Sequence, residues 1–342
     1  MNLPTIWFIL WGVLWAVYFL LDGFDLGAGT LLPVLGKSDA DRRLIFHTME
    51  PVWDGNEVWL ITAGGVTFAA FPTTYAVMFS GLYSALMLIL FALILRGVSF
   101  VFRGAFNDPR WRSLWDTCMT LGSFLPALLF GVAFANIFRG LPLDEQGIYQ
   151  GTLLTLLNPY GLSGGLLFLL LFTVHGALWL TVKTGGNLHQ RAADLAKKLW
   201  AALLVMAVIF LLATRRATHL YDNYLQYPIL FVIPLITVAA LIAIRIFMAK
   251  EAWWSAWFAS AATIAGATLF GVVGLYPNLL PSSLNPQWSL TIYNSASSPL
   301  TLKIMLGVAL TFVPLVIAYQ IWVHFLFKEK VSEEQLGYEE GY

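Results

Sequence analysis

The chain has 342 residues, 59% hydrophobic, 15% aromatic and only 11% charged, and its 19 basic and 19 acidic residues cancel. Soluble domains carry about 25% charged residues, so this composition excludes a well-solvated globular protein, and the zero balance excludes an electrostatic footprint for nucleic acid. A single cysteine, Cys118, excludes an intramolecular disulfide and a multi-cysteine metal site.

In chain order, the apolar runs predict an all-α, polytopic membrane protein. The first run, 5–35, follows MNLPTIWF, which has no cationic leader and no small-residue cleavage pattern, so it is expected to remain as a spanning helix. It ends in LLDGFDLGAG: Asp22 and Asp25 share a face, and Gly23, Gly27 and Gly29 let another backbone come close. The second run, 44–71, opens with HTMEPVWDGNEVWL, where His47, Glu50, Asp54 and Glu57 follow at three- and four-residue steps and so form one helical stripe. Further runs lie at 75–96, 115–137, 160–182, 197–214, 228–248, 253–275 and 300–327. The long runs approach or exceed what crosses a hydrocarbon core about 30 Å thick. The uncharged Pro-, Ser- and Asn-rich interval 276–300 reads as an ordered outer loop. Residues 1–327 form one transmembrane domain in this reading, and 328–342 a short acidic cytoplasmic tail.

Hydropathy leaves 44–71 undecided, since only Val58 to Phe71 is cleanly apolar. Loop charge decides it. With 44–71 spanning, nine helices put the N-terminus outside and the C-terminus in the cytoplasm, with 15 basic residues inside and only Arg139, Arg215, Arg216 and Lys303 outside. Without it the split falls to 12 against 7. The positive-inside rule favours nine.

Asp22 then lies about 25 Å along its helix from the outer end, in the inner half of the bilayer, and Glu50 and Asp54 return to comparable depth. The plainer alternative has Glu50, and even Asp54, simply wetted near the headgroups. An aspartate at a helix centre costs about 2.5–3.5 kcal/mol to insert, so these acids are expected to face protein or internal water. Basic residues all fall at loop ends in this reading, so fixed salt bridges are not expected. A row of carboxyls that gain and lose protons, open to the inner surface, is what a proton-conducting file requires. Asn56 and Thr62 are candidate hydrogen-bonding partners in the acidic cavity, Trp53 and Trp59 flank it as packing residues, and Asp116 reads as a helix cap or interfacial group. A secondary transporter and a pure assembly scaffold are the rival classes; the first predicts inverted repeats and interrupted helices in both halves, whereas the acids here cluster in the first two runs.

Of the five histidines, only His175 sits well inside a predicted helix; His324 lies near the inner end of its run. A bis-histidine haem needs two facing ligands, and none faces His175, which therefore reads as a helix-packing hydrogen-bonder. His47 and the acids at 50, 54 and 57 spread over about 15 Å of one helix, too far for one ion. No metal site, bound cofactor or catalytic centre is expected in this chain.

DGFDLGAG, the following RR, PVWDGNEVWLITAGGVTFAAFP, FSGLY, WRSLWDTCMTLGSFLPALLFGVAFANI, LLNPYGL and SLTIYNSASSPLTLKIML together resemble subunit II of the cytochrome bd-type quinol oxidases, over essentially the whole chain. The resemblance implies a subunit of an electrogenic respiratory quinol:oxygen oxidoreductase in a bacterial or archaeal plasma (inner) membrane. It implies two four-helix bundles plus one peripheral helix, packed on subunit I as a pseudo-symmetric heterodimer, often with a very small single-helix third subunit. Haems b558, b595 and d and the quinol-oxidising loop would belong to subunit I. Its motif acids match Asp22, Asp25 and Asp54, which it implies carry protons from the cytoplasm toward haem d; Glu50 and Glu57 rest on spacing alone. Some relatives hold a structural quinone in this subunit, so quinone is a candidate ligand. On this reading a proton enters at Glu50 or Asp54 and passes Asp22 or Asp25 into subunit I.

Overall fold

The computed structural model describes residues 2–331. Its helices are α1 (Leu3–Leu35), α2 (Asp39–Met49), α3 (Trp53–Ala70), α4 (Pro72–Gly81), α5 (Tyr83–Phe102), α6 (Pro109–Arg139), α7 (Pro159–Lys183), α8 (Gly186–Ala217), α9 (Tyr221–Gln226), α10 (Val232–Ala249), α11 (Trp253–Leu275) and α12 (Pro299–Leu326). Among the described residues eight helices are long and apolar enough to cross a membrane: α1, α5, α6, α7, α8, α10 with its preceding turn, α11 and α12. The all-α, polytopic reading holds. α3, with Asp54, Asn56 and Glu57 in its first turns, is not among the eight. Of the expected tail, residues 332–342 lie outside the described part.

Several boundaries differ from the expectation, each for a local reason. The run 44–71 is not one rod: α2 stops at Met49 and α3 starts at Trp53. Pro51 lies between them, and its ring and missing N–H break a continuing helix. His47 and Glu50 therefore stand on a different helix from Asp54 and Glu57, and the single stripe of four does not exist. α5 runs on through Phe102, so Arg96 lies well inside a helix instead of at its end. α6 begins at Pro109, where Asp108 caps it by accepting from Arg110 N–H at 2.9 Å; Asp116 is two turns inside and caps nothing. The interval 276–300 is ordered, with β1 (Asn278–Leu280) paired antiparallel to β2 (Leu290–Thr291).

α1 is the central element, packing on α3, α6, α7 and α11. Its glycines are spacers, since a Cβ on Gly27 would stand 1.8 Å from the Phe172 carbonyl oxygen and one on Gly176 2.3 Å from the Ala28 nitrogen. Helices without a bulky side chain at the crossing gain close van der Waals packing. Toward the N-terminal end of α1 from that crossing, Phe19 meets Phe130, Phe134, Phe168 and Phe172 of α6 and α7 within 5.1–5.9 Å between ring centroids.

α3 runs antiparallel beside α1. Asn56 meets Asp25 near one end, and Trp11 donates from Nε1 to Thr67 Oγ1 at 2.9 Å near the other. Its buried residues are Asn56, Trp59, Ala63, Thr67 and Ala70, and its exposed ones Asp54, Val58, Ile61, Gly65 and Phe68. Both sets repeat every 3.5 residues, giving the helix two faces. α12 is peripheral, with Leu302 its one buried residue. It is held by Trp7 Nε1 donating to Leu302 O at 3.0 Å and by Gln320 Nε2 donating to Gly55 O at 2.6 Å.

Candidate functional site

The polar interior is built on one face of α1, where Tyr18, Asp22 and Asp25 are all 0% exposed, and Arg96 of α5 reaches it at 1%. Arg96 donates from Nη2 to Asp22 Oδ1 at 2.7 Å and to Glu57 Oε1 of α3. One turn nearer the α1 C-terminus, Asn56 Nδ2 donates to Asp25 Oδ2 at 2.7 Å. Arg96 can come this deep because α6 offers Gly122, where a Cβ would be 2.6 Å from the Ala92 carbonyl oxygen and 2.9 Å from Arg96 Cβ. The expectation that basic residues would all sit at loop ends is corrected here: a guanidinium is held inside the acid cluster.

The cluster gathers three carboxyls and one cation, which pairs with two of them. Full ionisation would leave two negative charges uncompensated in a low-dielectric interior, which is strongly opposed, so the cluster is suited to holding protons. Hydrogen bonding within it is also incomplete. Tyr18 Oη, Asp22 Oδ2, Asp25 Oδ1, Asn56 Oδ1, and Arg96 Nε and Nη1 are buried with no protein partner. Buried polar atoms are almost always satisfied, by protein or by ordered water. The cluster thus combines ion pairs to Arg96 with leftover polar atoms of the kind that ordered water satisfies.

The other expected residues fall elsewhere. Asp54 is exposed on the outer stripe of α3, its carboxylate accepting from the Gly55 N–H at 2.6 Å. Glu50 is exposed beside His47, Nδ1 to Oε2 being 3.0 Å. Neither joins Asp22 and Asp25, and the expected convergence of Glu50 and Asp54 with them is replaced by Asn56 and Glu57. Trp53 stacks on Phe100 at 4.8 Å, a packing role, and Thr62 bonds back to Val58 O at 2.8 Å within its own helix. His175 packs helices as expected: Nε2 lies 3.0 Å from Leu20 O and Nδ1 2.6 Å from Ser260 Oγ. Both ring nitrogens are engaged, leaving none for a haem iron. Among the described residues no three His, Cys, Asp or Glu side chains gather as a metal site would need.

Asp116 belongs to a second network, at the C-terminal end of α5 and the N-terminal part of α6. It accepts from Arg103 Nε at 2.6 Å and Arg42 Nη1 at 2.8 Å, while Asp39 accepts from Arg103 Nη2 at 2.7 Å and Arg112 Nη1 at 2.9 Å. Arg191 of α8 pairs with Asp41 at 2.7 Å. α2 is thus tied to α5, α6 and α8. Burial alone would raise the Asp39 carboxyl, but the hydrogen bond and charge of Arg103, with Arg112 and Arg43, outweigh it and hold it below the ordinary range. A carboxyl depressed on folding adds stability above its unfolded pKa and loses it as pH falls through the folded one. The α2 clamp therefore holds at neutral pH and slackens in acid.

Two members of the inner site were not anticipated. The apolar run GVSFVF after Arg96 is the signal that its helix continues past it. Tyr18 stands four residues before Asp22, hence on the same face.

A family model described as cytochrome bd terminal oxidase subunit II matches residues 3–327. The chain is 39% identical to a probable cytochrome oxidase subunit 2 of Haemophilus influenzae, covering 94% of this chain and 93% of that protein. It is 34% identical to the cytochrome bd ubiquinol oxidase subunit 2 of Bacillus subtilis, over 98% of both chains. It is 36% identical to the cytochrome bd-I ubiquinol oxidase subunit 2 of Escherichia coli, over 98% of this chain and 96% of that one. In fold it is similar to a chain of the bd oxidase from Geobacillus thermodenitrificans, with a TM-score of 0.78 at 19% identity, covering 96% of this chain and 99% of that one.

Proposed function

Because the chain belongs to the cytochrome bd terminal oxidase subunit II family, we propose that its buried acid cluster carries protons from the cytoplasm toward the oxygen-reducing haem of subunit I. Membership makes the chain part of a quinol oxidase complex, an oxidoreductase of respiratory electron transport. The proton role rests on one observation: three carboxyls gather beside a single guanidinium that pairs with only two of them, with buried polar atoms left over for water to bridge. Protons enter from the α2 side, where Glu50, His47 and Asp54 stand nearer the inner surface, and pass Asn56–Asp25 to Glu57–Arg96–Asp22. Electrons and oxygen are handled in subunit I by haems b558, b595 and d, and the residues of this chain move and store protons only.

The reading carries a nine-helix topology, with the N-terminus outside and the C-terminus in the cytoplasm of a bacterial or archaeal cell. α3, at 18 residues, is about 27 Å long and lies antiparallel along a spanning helix, which supports its crossing. The two bundles are α1, α3, α5 and α6, then α7, α8, α10 and α11, with α12 peripheral. A small single-helix subunit and a structural quinone remain parts of this proposal that the family resemblance alone supports.

Subunit I is proposed to cover the outer stripe of α3. The stripe carries Val58, Ile61, Gly65 and Phe68 beside Asp54, and its 3.5-residue repeat suits a second helix packed alongside. A Cβ at Gly65 meets nothing within 4 Å in this chain, so Gly65→Leu will leave the subunit's own fold intact. Overpacking costs about 1–3 kcal/mol, and co-purification of subunit I should fall about fivefold or more. Full recovery of the pair would place the interface on another face.

The Arg96 ion pairs favour a second reading, a purely structural assembly subunit. Asp25→Asn separates the two, since it keeps shape and can still hydrogen-bond Asn56. Oxidase turnover and proton uptake are expected to drop about tenfold or more with haem absorption unchanged. Wild-type turnover in a fully assembled complex would leave the acids as structural links.

A further inference from the structure

We propose that Tyr18 is a positioning residue of this site: its hydroxyl, Asp22 Oδ2 and the free nitrogens of Arg96 together hold an internal water at the outward end of the acid cluster. The proposal rests on the proton-handling reading and adds a residue and a ligand to it. Tyr18 is wholly buried, its hydroxyl makes no hydrogen bond of normal geometry, and it stands next to the Asp22 carboxyl with Arg96 and Glu57 close by. Its ring is locked between neighbours, with Phe130 at 5.4 Å, Phe19 at 5.3 Å and Trp15 at 6.2 Å between centroids, so the hydroxyl has little freedom to seek a partner elsewhere. A buried water needs two to four polar partners. Here Arg96 donates to it, the phenol can donate or accept, and Asp22 Oδ2 accepts. Such a water extends hydrogen bonding from Asp22 one turn along α1, to a side chain that cannot itself take up the transported proton, and so marks where the proton file ends or turns.

Tyr18→Phe removes one oxygen and keeps the ring packing, so it tests the hydrogen bond alone. Infrared redox-difference spectra of the intact oxidase, recorded in ordinary water and in water enriched in oxygen-18, report internal waters directly. The parent should show an isotope-sensitive O–H band that Tyr18→Phe loses, with haem absorption and complex yield unchanged. Turnover should fall about two- to tenfold, the effect of one hydrogen bond. If the band is absent from the parent or persists in Tyr18→Phe, the proposal is overturned. The outcome is independent of Asp25→Asn: a lost band with a silent Asp25→Asn leaves the water and removes the proton path, and the reverse leaves the path without this water.

Discussion

Arg96→Leu is expected to abolish accumulation of the assembled complex. The substitution strips Asp22 and Glu57 of their shared cation at a point where the guanidinium is 1% exposed. Removing one partner of a buried ion pair costs about 3–5 kcal/mol, against a total of about 5–15 kcal/mol for a typical fold. The readout is subunit yield and haem absorption in detergent-solubilised membranes. Replacing all members of a buried pair together is often neutral, so Arg96→Leu combined with Asp22→Asn and Glu57→Gln should regain most of the yield, but not turnover. Arg96→Lys should fall between, because an ammonium lacks the planar fork that serves two carboxylates at once. A single Arg96→Leu variant with parental yield would show that the acids do not depend on this cation.

Gly27→Val should be equally severe for a different reason. Its Cβ would stand 1.8 Å from the Phe172 carbonyl oxygen and 3.0 Å from the Gly176 nitrogen. Backbone atoms of α7 cannot step aside as a flexible side chain would, so α1 and α7 must separate. Losses beyond about 4 kcal/mol come from mechanisms of this kind. Gly64→Ala is the control, since nothing lies within 4 Å of a Cβ there, and such a change is worth about 0.5 kcal/mol or less. Thermal unfolding of the purified complex separates the two. Equal midpoints for Gly27→Val and Gly64→Ala would contradict the close crossing.

The sequence discloses the architecture more readily than the wiring. Length and apolarity of the runs announce a bundle of spanning helices, and the Asp22–Asp25 pair among glycines announces the face that becomes the interior. Side-chain partners across helices are invisible to periodicity, so Asn56 and Glu57, not Glu50 and Asp54, turn out to meet that face. The mis-aimed stripe traces to Pro51, which divides what otherwise reads as one helix. Arg96 was hidden for the opposite reason: a charge between apolar segments reads as an end, and here the helix simply carries on. The charged side chains of α2, read only as an inner loop, become a clamp because Arg42, Arg103 and Asp116 converge from three elements distant in sequence.

α3 has the acid cluster on one face and an exposed stripe on the other. Asn56 is on one side of it, with Asp25, and Asp54, half a turn away, is on the other. The width of a single helix, about 10–12 Å, is all that separates the acid cluster from any neighbour lying along that outer stripe. The seam is marked by Glu57, whose side chain is 23% exposed while still bound to Arg96. A carboxylate so placed belongs at once to the buried cluster and to the outer surface of the helix.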